Sequence, residues 1–346
     1  MEPQPLEPHD EGAPIISKPL RQTLLAPFNP ATATATAEKV FLPKPTSQLC
    51  TAPIEYTQSL PGKSTLASFI DSLTVWFPLR DEYSAPLCEI TATLFTTILI
   101  LDDIEDSSPL RRGHPSAHIK FGTGPTVNAA TYTLMTLTAS IQKHLGAEAL
   151  DIFLEEMQNL GKGQALDLHW TCVRECPTVE EYLGMVDLKT GSLFRLVVRW
   201  MALGAGREVD EEVAGLVTLL GRYYQVRDDL LNLAGEYSVS KGWCEDLDEG
   251  KFSFPLVWLL RVQAGEVGEE VYGLLIGEAG GRREAGGVSD EVKGRVVELL
   301  KGAGTLEGTV RVLEEILEGI LAVLGGLEGR LGVNAGLRGL ISRLRV

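Results

Sequence analysis

Long segments of the chain repeat apolar residues at intervals of three and four positions, and this pattern limits the fold more than any other feature. The segments are 89–106, 128–145, 150–170, 178–203, 211–237 and 304–331. The interval matches the α-helix, which has roughly 3.6 residues per turn, and no segment alternates as a half-buried strand does. The sequence therefore predicts an all-α protein of roughly ten helices in a single large domain.

Two parts of the chain lack this periodicity. Residues 1–52 are rich in Pro, Ala and Thr, which predicts a disordered leader before a folded domain over 53–346. Residues 274–292 are polar and rich in Gly, which predicts a loop.

The composition excludes some classes of function. A net charge of -16 and a pI near 4.8 argue against a nucleic-acid-binding protein, which needs a basic face to neutralise phosphates. No apolar run reaches the roughly 18 residues of a spanning helix, so no transmembrane segment is predicted. The first residues lack the positive and apolar regions of a signal peptide, so a cytoplasmic location is expected.

Carboxylates follow two of the apolar segments. Asp102 and Asp106 lie one turn apart on one helix face, and Asp228 and Asn232 repeat this spacing on another helix. Carboxylates at i and i+4 repel each other, and near a helix C-terminus they also oppose the macrodipole. Either cluster alone is compatible with a solvated helix end, but two clusters favour a cation. Oxygen ligands suit Mg²⁺, which shares its coordination with phosphate oxygens.

Basic residues follow the first acidic cluster. After the break at Pro109, Arg111 and Arg112 stand on a predicted loop, and guanidinium groups bind phosphate in a bidentate manner. The segments "DLKTGS" and "SKGWCEDLDEGKFSFP" add three further candidates, Lys189, Lys241 and Lys251. Together, these residues predict a pocket that holds Mg²⁺ and a diphosphate between two acidic helices.

These motifs resemble those of the trans-isoprenyl diphosphate synthases, most closely the fungal and animal geranylgeranyl diphosphate synthases. The matching stretches are "EYTQSLPGK", "LDDIEDSSPLRRGHPSAH", "GQALDLHW", "LKTGSLF", "YYQVRDDLLNL" and "KGWCEDLDEGKFSFP". They stand in the family's order and at its spacing over about residues 53–260. The resemblance implies the all-α isoprenoid synthase fold around a central apolar pocket, a catalytic domain over 53–346 and a homodimer.

The resemblance also implies roles for single residues. Three Mg²⁺ ions would be held by Asp102, Asp106 and Asp228, and these residues together with Lys189 would be catalytic. The allylic diphosphate would contact Arg111, Lys189, Gln225, Lys241 and Lys251, with Thr190 beside Lys189. Isopentenyl diphosphate would bind Lys63 and Arg112. The implied reaction is the condensation of isopentenyl diphosphate with an allylic diphosphate, with geranylgeranyl diphosphate as the expected product.

The chain departs from the family at two positions that normally bind isopentenyl diphosphate. Leu66 occupies the position of an Arg in "GKSTL", and Phe95 occupies the position of a His seven residues before Asp102. This pattern keeps two alternatives open. One is a class I terpene synthase, which ionises an allylic diphosphate and cyclises it without isopentenyl diphosphate. The other is a non-catalytic partner subunit, which the survival of both acidic clusters disfavours.

Overall fold

The computed structural model describes residues 46–62, 65–235, 242–276 and 287–346, together with Gln22. By its internal contacts the chain divides into two units, Met1–Leu49 and Cys50–Val346, and the second contains the whole of the predicted catalytic domain. Most of the predicted leader lies outside the described residues, so its disorder stays a prediction.

Helices dominate the described structure and strands are almost absent from it, which confirms the all-α prediction. In chain order they are α1 (Thr46–Ser59), α2 (Thr65–Leu73), α3 (Asp81–Glu105), α4 (Ala117–Phe121), α5 (Thr123–His144), α6 (Ala147–Val173), α7 (Val179–Leu188), α8 (Thr190–Gly204), α9 (Glu211–Leu233), α10 (Glu245–Glu249), α11 (Phe254–Trp258), α12 (Glu266–Ile276), α13 (Asp290–Gly302), α14 (Thr305–Leu331) and α15 (Ala335–Arg343). A π-helical turn, Leu259–Gln263, continues α11. The short strands β1 (Leu110–Arg111) and β2 (His114–Pro115) pair antiparallel.

The structure changes the predicted helix boundaries at several places. Helix α1 begins at Thr46, so residues 46–52 are helical and the predicted boundary at residue 53 falls inside a helix. The segment 178–203 is not one helix but two, because the chain breaks at Lys189. Helices also outnumber the roughly ten predicted, since short ones such as α4 and α10 are only 5 residues long and show no full period. Within the predicted loop 274–292, residues 277–286 lie outside the described ranges.

Capping side chains explain where three of the helices begin. Thr178 and Glu181 form a capping box at α7, in which each side chain bonds the other residue's backbone N–H. Asp210 accepts a hydrogen bond from Val213 N at the start of α9, and Asn334 accepts one from Leu337 N at α15. These bonds satisfy backbone donors that have no partner within the helix.

Helix α9 lies at the centre of the domain, packed against α14 on one side and α8 on another. Helix α6 packs against α7 and α8, and α3 packs against α5. The largest side chains with almost no exposed surface include Trp76, Trp200, Tyr182 and Phe254. Trp200 stays in the core because its indole N–H donates to Ala149 O at 2.8 Å, which satisfies its only polar atom. The helices that carry the acidic clusters are therefore held by a continuous apolar core.

Helix α3 is the one described helix that is long and apolar enough to cross a membrane by length and composition, contrary to the expectation from the sequence. Core helices pass the same test, and α3 contributes Leu87, Leu94 and Ile100 to the interior with no exposed surface. Because 33% of its most apolar window is buried, packing within the domain accounts for part of its composition, and one such helix is weak support for a membrane span.

Gly163 on α6 lets the break at Lys189 approach this helix closely. A Cβ at Gly163 would lie 2.5 Å from Lys189 N and 2.9 Å from Leu188 C, both backbone atoms that cannot move aside. We expect Gly163→Ala to lower the free energy of unfolding by about 1–3 kcal/mol through overpacking. Urea denaturation measures this. Gly161→Ala is the control, because it has open space on the same helix and gains helix propensity. Equal midpoints for both variants would contradict the close approach.

Candidate active site

The first acidic cluster stands at the C-terminal end of α3, and lysines from two other segments reach it. Lys189 Nζ lies 3.2 Å from Asp102 Oδ1 and 2.9 Å from Asp167 Oδ2. Lys251 forms a close ion pair with Asp106 and lies 3.0 Å from Glu249 Oε2. The ammonium groups thus neutralise the carboxylates that would otherwise repel each other at a helix end.

The charges of this cluster shift one another's pKa values. Burial alone would raise the pKa of Asp102, but the ammonium groups of Lys189 and Lys251 outweigh burial and hold it well below its usual range. Burial would lower the pKa of Lys189, but Asp102 and Asp167 raise it above its usual value. At neutral pH Asp102 and Lys189 are therefore charged, whereas burial raises the pKa of Asp106 well above its usual value despite the ammonium group of Lys251.

The break between α7 and α8 brings Lys189 to this cluster. A network of charged side chains around Asp187 holds the backbone at this break. Arg195 Nη1 donates to Asp187 O at 2.7 Å, and Arg222 pairs with the Asp187 carboxylate at 2.6 Å. Arg195 also pairs at 3.0 Å with Glu156, which is buried. These side chains stand beside a cleft of about 480 Å³ whose lining includes none of the predicted site residues. The network thus acts on the site only through the position of the backbone.

The arginine pair stands on the β1–β2 hairpin, and its two members have different partners. The Arg111 guanidinium binds Asp103 with both Nε and Nη2, and Nε lies 2.9 Å from Asp103 Oδ1. Arg112 Nη1 donates to Leu60 O at 3.3 Å, at the end of α1. The hairpin therefore places one guanidinium beside the acidic cluster and the other against the segment that leads to Lys63.

The second acidic cluster, on α9, divides into residues with different surroundings. Asp229 is buried and accepts hydrogen bonds from Tyr182 Oη at 2.6 Å, Phe254 N at 2.6 Å and Gln225 Nε2 at 2.8 Å. Burial raises the pKa of Asp229 to about 6, although these three hydrogen bonds lower it. Asp228, the predicted metal ligand, is half-buried. Asp229 therefore organises the core behind Asp228 and is turned away from a ligand role.

Thr190 on α8 and Asn232 on α9 complete the hydrogen-bonded network beside the second acidic cluster. Thr190 Oγ1 donates to Gln225 Oε1 at 2.7 Å, which joins the start of α8 to the second acidic motif. Asn232, predicted on the Asp228 face, is buried and accepts from Asp246 N at 3.2 Å. Asn232 thus positions the segment that leads into α10.

The structure brings most of the predicted site residues to one region. Contacts near the first cluster join Asp102, Asp106, Arg111, Lys189 and Lys251, and the hydrogen-bonded network behind the second cluster includes Thr190 and Gln225. Arg112 stands apart at Leu60. Lys63 and Lys241 lie outside the described residues, and the metal role of Asp228 stays a prediction.

Sequence reasoning missed three residues that the structure places in the site. Asp167 and Glu249 share the lysines with the first cluster, and Tyr182 bonds Asp229. Asp167 stands in "GQALDLHW" and Glu249 in "DLDEGKFSFP", so the motifs pointed to both segments without indicating which side chain takes part. Tyr182 sits on an apolar helix face, where its sequence position predicts only core packing.

The carboxylate oxygens of the site are ligands of the type that Mg²⁺ prefers, but those that the structure describes are too few to hold the ion by themselves. Among the described residues, no group of three or more His, Cys, Asp or Glu side chains could hold a metal ion. Asp102 Oδ1 is buried and accepts no hydrogen bond of normal geometry in the described part of the chain, although Lys189 Nζ is near. Mg²⁺ is usually bound by one or two carboxylates together with substrate phosphates. The site is therefore suited to a metal that arrives with a diphosphate.

The two departures from the family pattern are both accounted for by packing. Leu66 on α2 and Phe95 on α3 are partly buried and pack against the main apolar core. Neither side chain carries charge, so the chain lacks here the Arg and His that the family resemblance implies for a second diphosphate.

The comparison with known proteins identifies the family. The model of the polyprenyl synthetase family matches residues 47–278. The chain belongs to this family. It is 41% identical over 302 residues to a macrophomene synthase of Macrophomina phaseolina and 43% identical over 298 residues to a variediene synthase of Emericella variicolor. It is 39% identical over 289 residues to geranylgeranyl pyrophosphate synthase 3 of Zymoseptoria tritici.

The alignments differ in how much of each relative they cover. They include 86%, 85% and 82% of this chain, respectively, but 42% and 41% of the two terpene synthases and 78% of the geranylgeranyl pyrophosphate synthase. The chain therefore spans less than half the length of the first two relatives and most of the length of the third.

The hydroxyl of Tyr182 is expected to stabilise the site through Asp229. Tyr182→Phe leaves a buried carboxylate with one donor fewer, which should lower the free energy of unfolding by about 1–3 kcal/mol. Tyr223→Phe is the matched control, because its buried ring loses a bond to the uncharged Leu344 O at 3.1 Å. Chemical denaturation should show a clearly smaller loss for the control. A larger loss for Tyr223→Phe would contradict the role of Asp229.

Proposed function

We propose that this polyprenyl synthetase family member condenses isopentenyl diphosphate with an allylic diphosphate in the presence of Mg²⁺, and that its product is geranylgeranyl diphosphate. The observation that carries the proposal is the cluster in which Lys189 and Lys251 approach Asp102 and Asp106 at the end of an apolar helix. Charged groups suited to a diphosphate stand there at the end of a helix that packs in the apolar core, and an allylic diphosphate likewise has a charged end and a hydrocarbon end. The likeness to a geranylgeranyl pyrophosphate synthase supports the same substrate class.

The residues of the chain act on both the leaving group and the carbon skeleton. Ionisation of the allylic C–O bond places negative charge on diphosphate, and Lys189, Lys251 and Arg111 are placed to stabilise that charge. The double bond of isopentenyl diphosphate then forms the new C–C bond, and a proton is lost to the departed diphosphate. The apolar core around α3 and α9 excludes water, which would otherwise trap the allylic cation as an alcohol.

Mg²⁺ would supply charge neutralisation and a fixed geometry for the diphosphate oxygens. We propose that three ions are held by Asp102, Asp106 and Asp228. In the structure, Lys189 lies between Asp102 and Asp167, and Lys251 pairs with Asp106. Because an ammonium group forms equally good ion pairs with phosphate, both lysines can exchange a carboxylate for the substrate when metal neutralises the aspartates. Lys63 and Lys241 complete the proposed diphosphate contacts.

We also propose that the protein acts as a homodimer through α5. Four large apolar side chains on α4 and α5 are exposed, among them Met135 at 63% and Ile119 at 56%. Val127 and Tyr132 belong to the same group, and a set of exposed apolar residues of this kind is typical of an interface. Association of two copies would bury it.

A cyclase remains the second candidate, because Leu66 and Phe95 remove two groups that would hold isopentenyl diphosphate and because two relatives are named terpene synthases. Such an enzyme would ionise an allylic diphosphate and use the substrate's own double bond as nucleophile. It needs the acidic cluster and its lysines but not Arg112.

Product analysis separates the candidates. Purified protein with Mg²⁺ and farnesyl diphosphate should leave the substrate unchanged and convert it to geranylgeranyl diphosphate once isopentenyl diphosphate is added. A cyclic hydrocarbon formed without isopentenyl diphosphate would replace the proposal by the cyclase. No reaction under either condition, with dimethylallyl and geranyl diphosphate also tested, would favour a non-catalytic subunit.

Asp102→Asn tests the metal-ligand assignment in either enzyme. We expect kcat to fall about 10²-fold or more, because the variant loses a charge that acts at the reacting group. The fold should persist, since Lys189 keeps Asp167 as its partner at 2.9 Å. Glu89→Gln is the control, because it removes a carboxylate from an exposed position of the same helix. A folded Asp102→Asn variant with more than a tenth of normal activity would contradict the assignment.

A further inference from the structure

The tip of the β1–β2 hairpin holds Arg112 in an unusual backbone conformation. Arg111 pairs with His114, so Arg112 and Gly113 form a two-residue turn. Both have positive φ values, 54° and 78°, which is the type I′ turn of tight hairpins. Asn, Asp and Gly are the residues that favour the first position, and a long side chain is rarely found there. Unusual backbone of this kind persists where the surroundings hold it, often at a functional site.

The guanidinium of Arg112 packs against Gly62, which has no side chain and lies in the segment that follows α1. A Cβ at Gly62 would lie 2.6 Å from Arg112 Nη1 and 2.7 Å from Cζ, so only glycine leaves room for this placement. Arg112 Nη1 donates to Leu60 O at 3.3 Å, which is its one hydrogen bond in the part of the chain that the structure describes. The remaining N–H groups are the ones suited to an anion.

A hydrogen bond holds the second strand of the hairpin against helix α1. Tyr56 on α1 donates from its hydroxyl to Pro115 O at 2.8 Å. Its ring contacts Phe121 edge to face at 5.6 Å between centroids, and Lys120 Nζ lies 3.6 Å from its centre. Helix α1 and the segment that follows it thus contact the hairpin at two points, at Pro115 through Tyr56 and at Arg112 through Gly62.

We propose that Gly62 and Tyr56 are positioning residues that hold Arg112 for the diphosphate of isopentenyl diphosphate. The proposal rests on the proposed condensation and adds two residues to it. Because Leu66 and Phe95 contribute no charge, the affinity for this substrate depends on few groups, and the placement of Arg112 carries a large share of it. A displaced arginine loses the bidentate geometry on which phosphate recognition depends.

Two conservative variants test the proposal. Gly62→Ala adds one methyl group at an exposed position and displaces the end of a flexible side chain, so the fold should be retained. Tyr56→Phe keeps the ring and its contacts with Phe121 and Lys120 but removes the bond to Pro115 O. The controls are Gly161→Ala, which has open space, and Tyr272→Phe, which loses a 3.0 Å bond from its hydroxyl to Arg174 O elsewhere.

Steady-state kinetics with each substrate varied in turn gives the result. We expect Gly62→Ala to raise KM for isopentenyl diphosphate about tenfold and Tyr56→Phe to raise it severalfold, because a small misplacement of a binding group costs up to about 10²-fold. KM for the allylic diphosphate, and both KM values of the controls, should stay within about twofold, since Arg112 acts at one substrate.

The outcomes of these experiments separate a failure of the proposed function from a failure of this inference. A wild-type protein that does not condense the two substrates would overturn the proposed function and this inference with it. A wild-type protein that condenses them, together with unchanged KM values in both variants, would overturn the inference alone. An equal rise in both KM values would also overturn it, because a merely structural role affects both substrates. Circular dichroism and melting curves confirm that the variants are folded, and either variant alone decides the result if the other fails to fold.

Discussion

The ion pairs between the end of α3 and its two lysines are the interaction on which the rest of the site depends. Carboxylates one turn apart at a helix C-terminus repel each other and the helix dipole, and partial burial strengthens both effects. Lys189 and Lys251 come from distant parts of the chain and offset this cost. Their positions require a helix break at residue 189 and a turn between α10 and α11, so two irregular places in an otherwise helical domain serve one electrostatic purpose.

The surrounding framework maintains these irregular places. Gly163 allows the break to lie directly against α6, and Arg195 and Arg222 hold Asp187 on its other side. Ser108 Oγ donates to Glu249 Oε1 at 2.7 Å and connects the segment before the hairpin to the segment that carries Lys251. The buried bonds of Asp229 give the second acidic helix a comparable rigidity.

The two halves of the site differ in composition. The half around Asp102 is rich in paired charges, whereas Leu66 and Phe95 are uncharged and pack against the main core. The family includes relatives named as terpene synthases and as a geranylgeranyl pyrophosphate synthase.

The sequence alone was sufficient for the fold class and for several residues that the structure brings together. Apolar periodicity predicted long helices such as α9 and α14, and the motifs around Asp102 and Lys251 predicted groups that meet in space. Periodicity could not show the break at Lys189, because residues on both sides continue the same apolar pattern. Local spacing also could not show which carboxylates share a lysine: Asp167 is 22 residues from Lys189, and Lys251 is 145 residues from Asp106. Only tertiary packing decided these pairs, because the distance between two charges in a folded chain is set by how the helices pack and not by their separation in sequence.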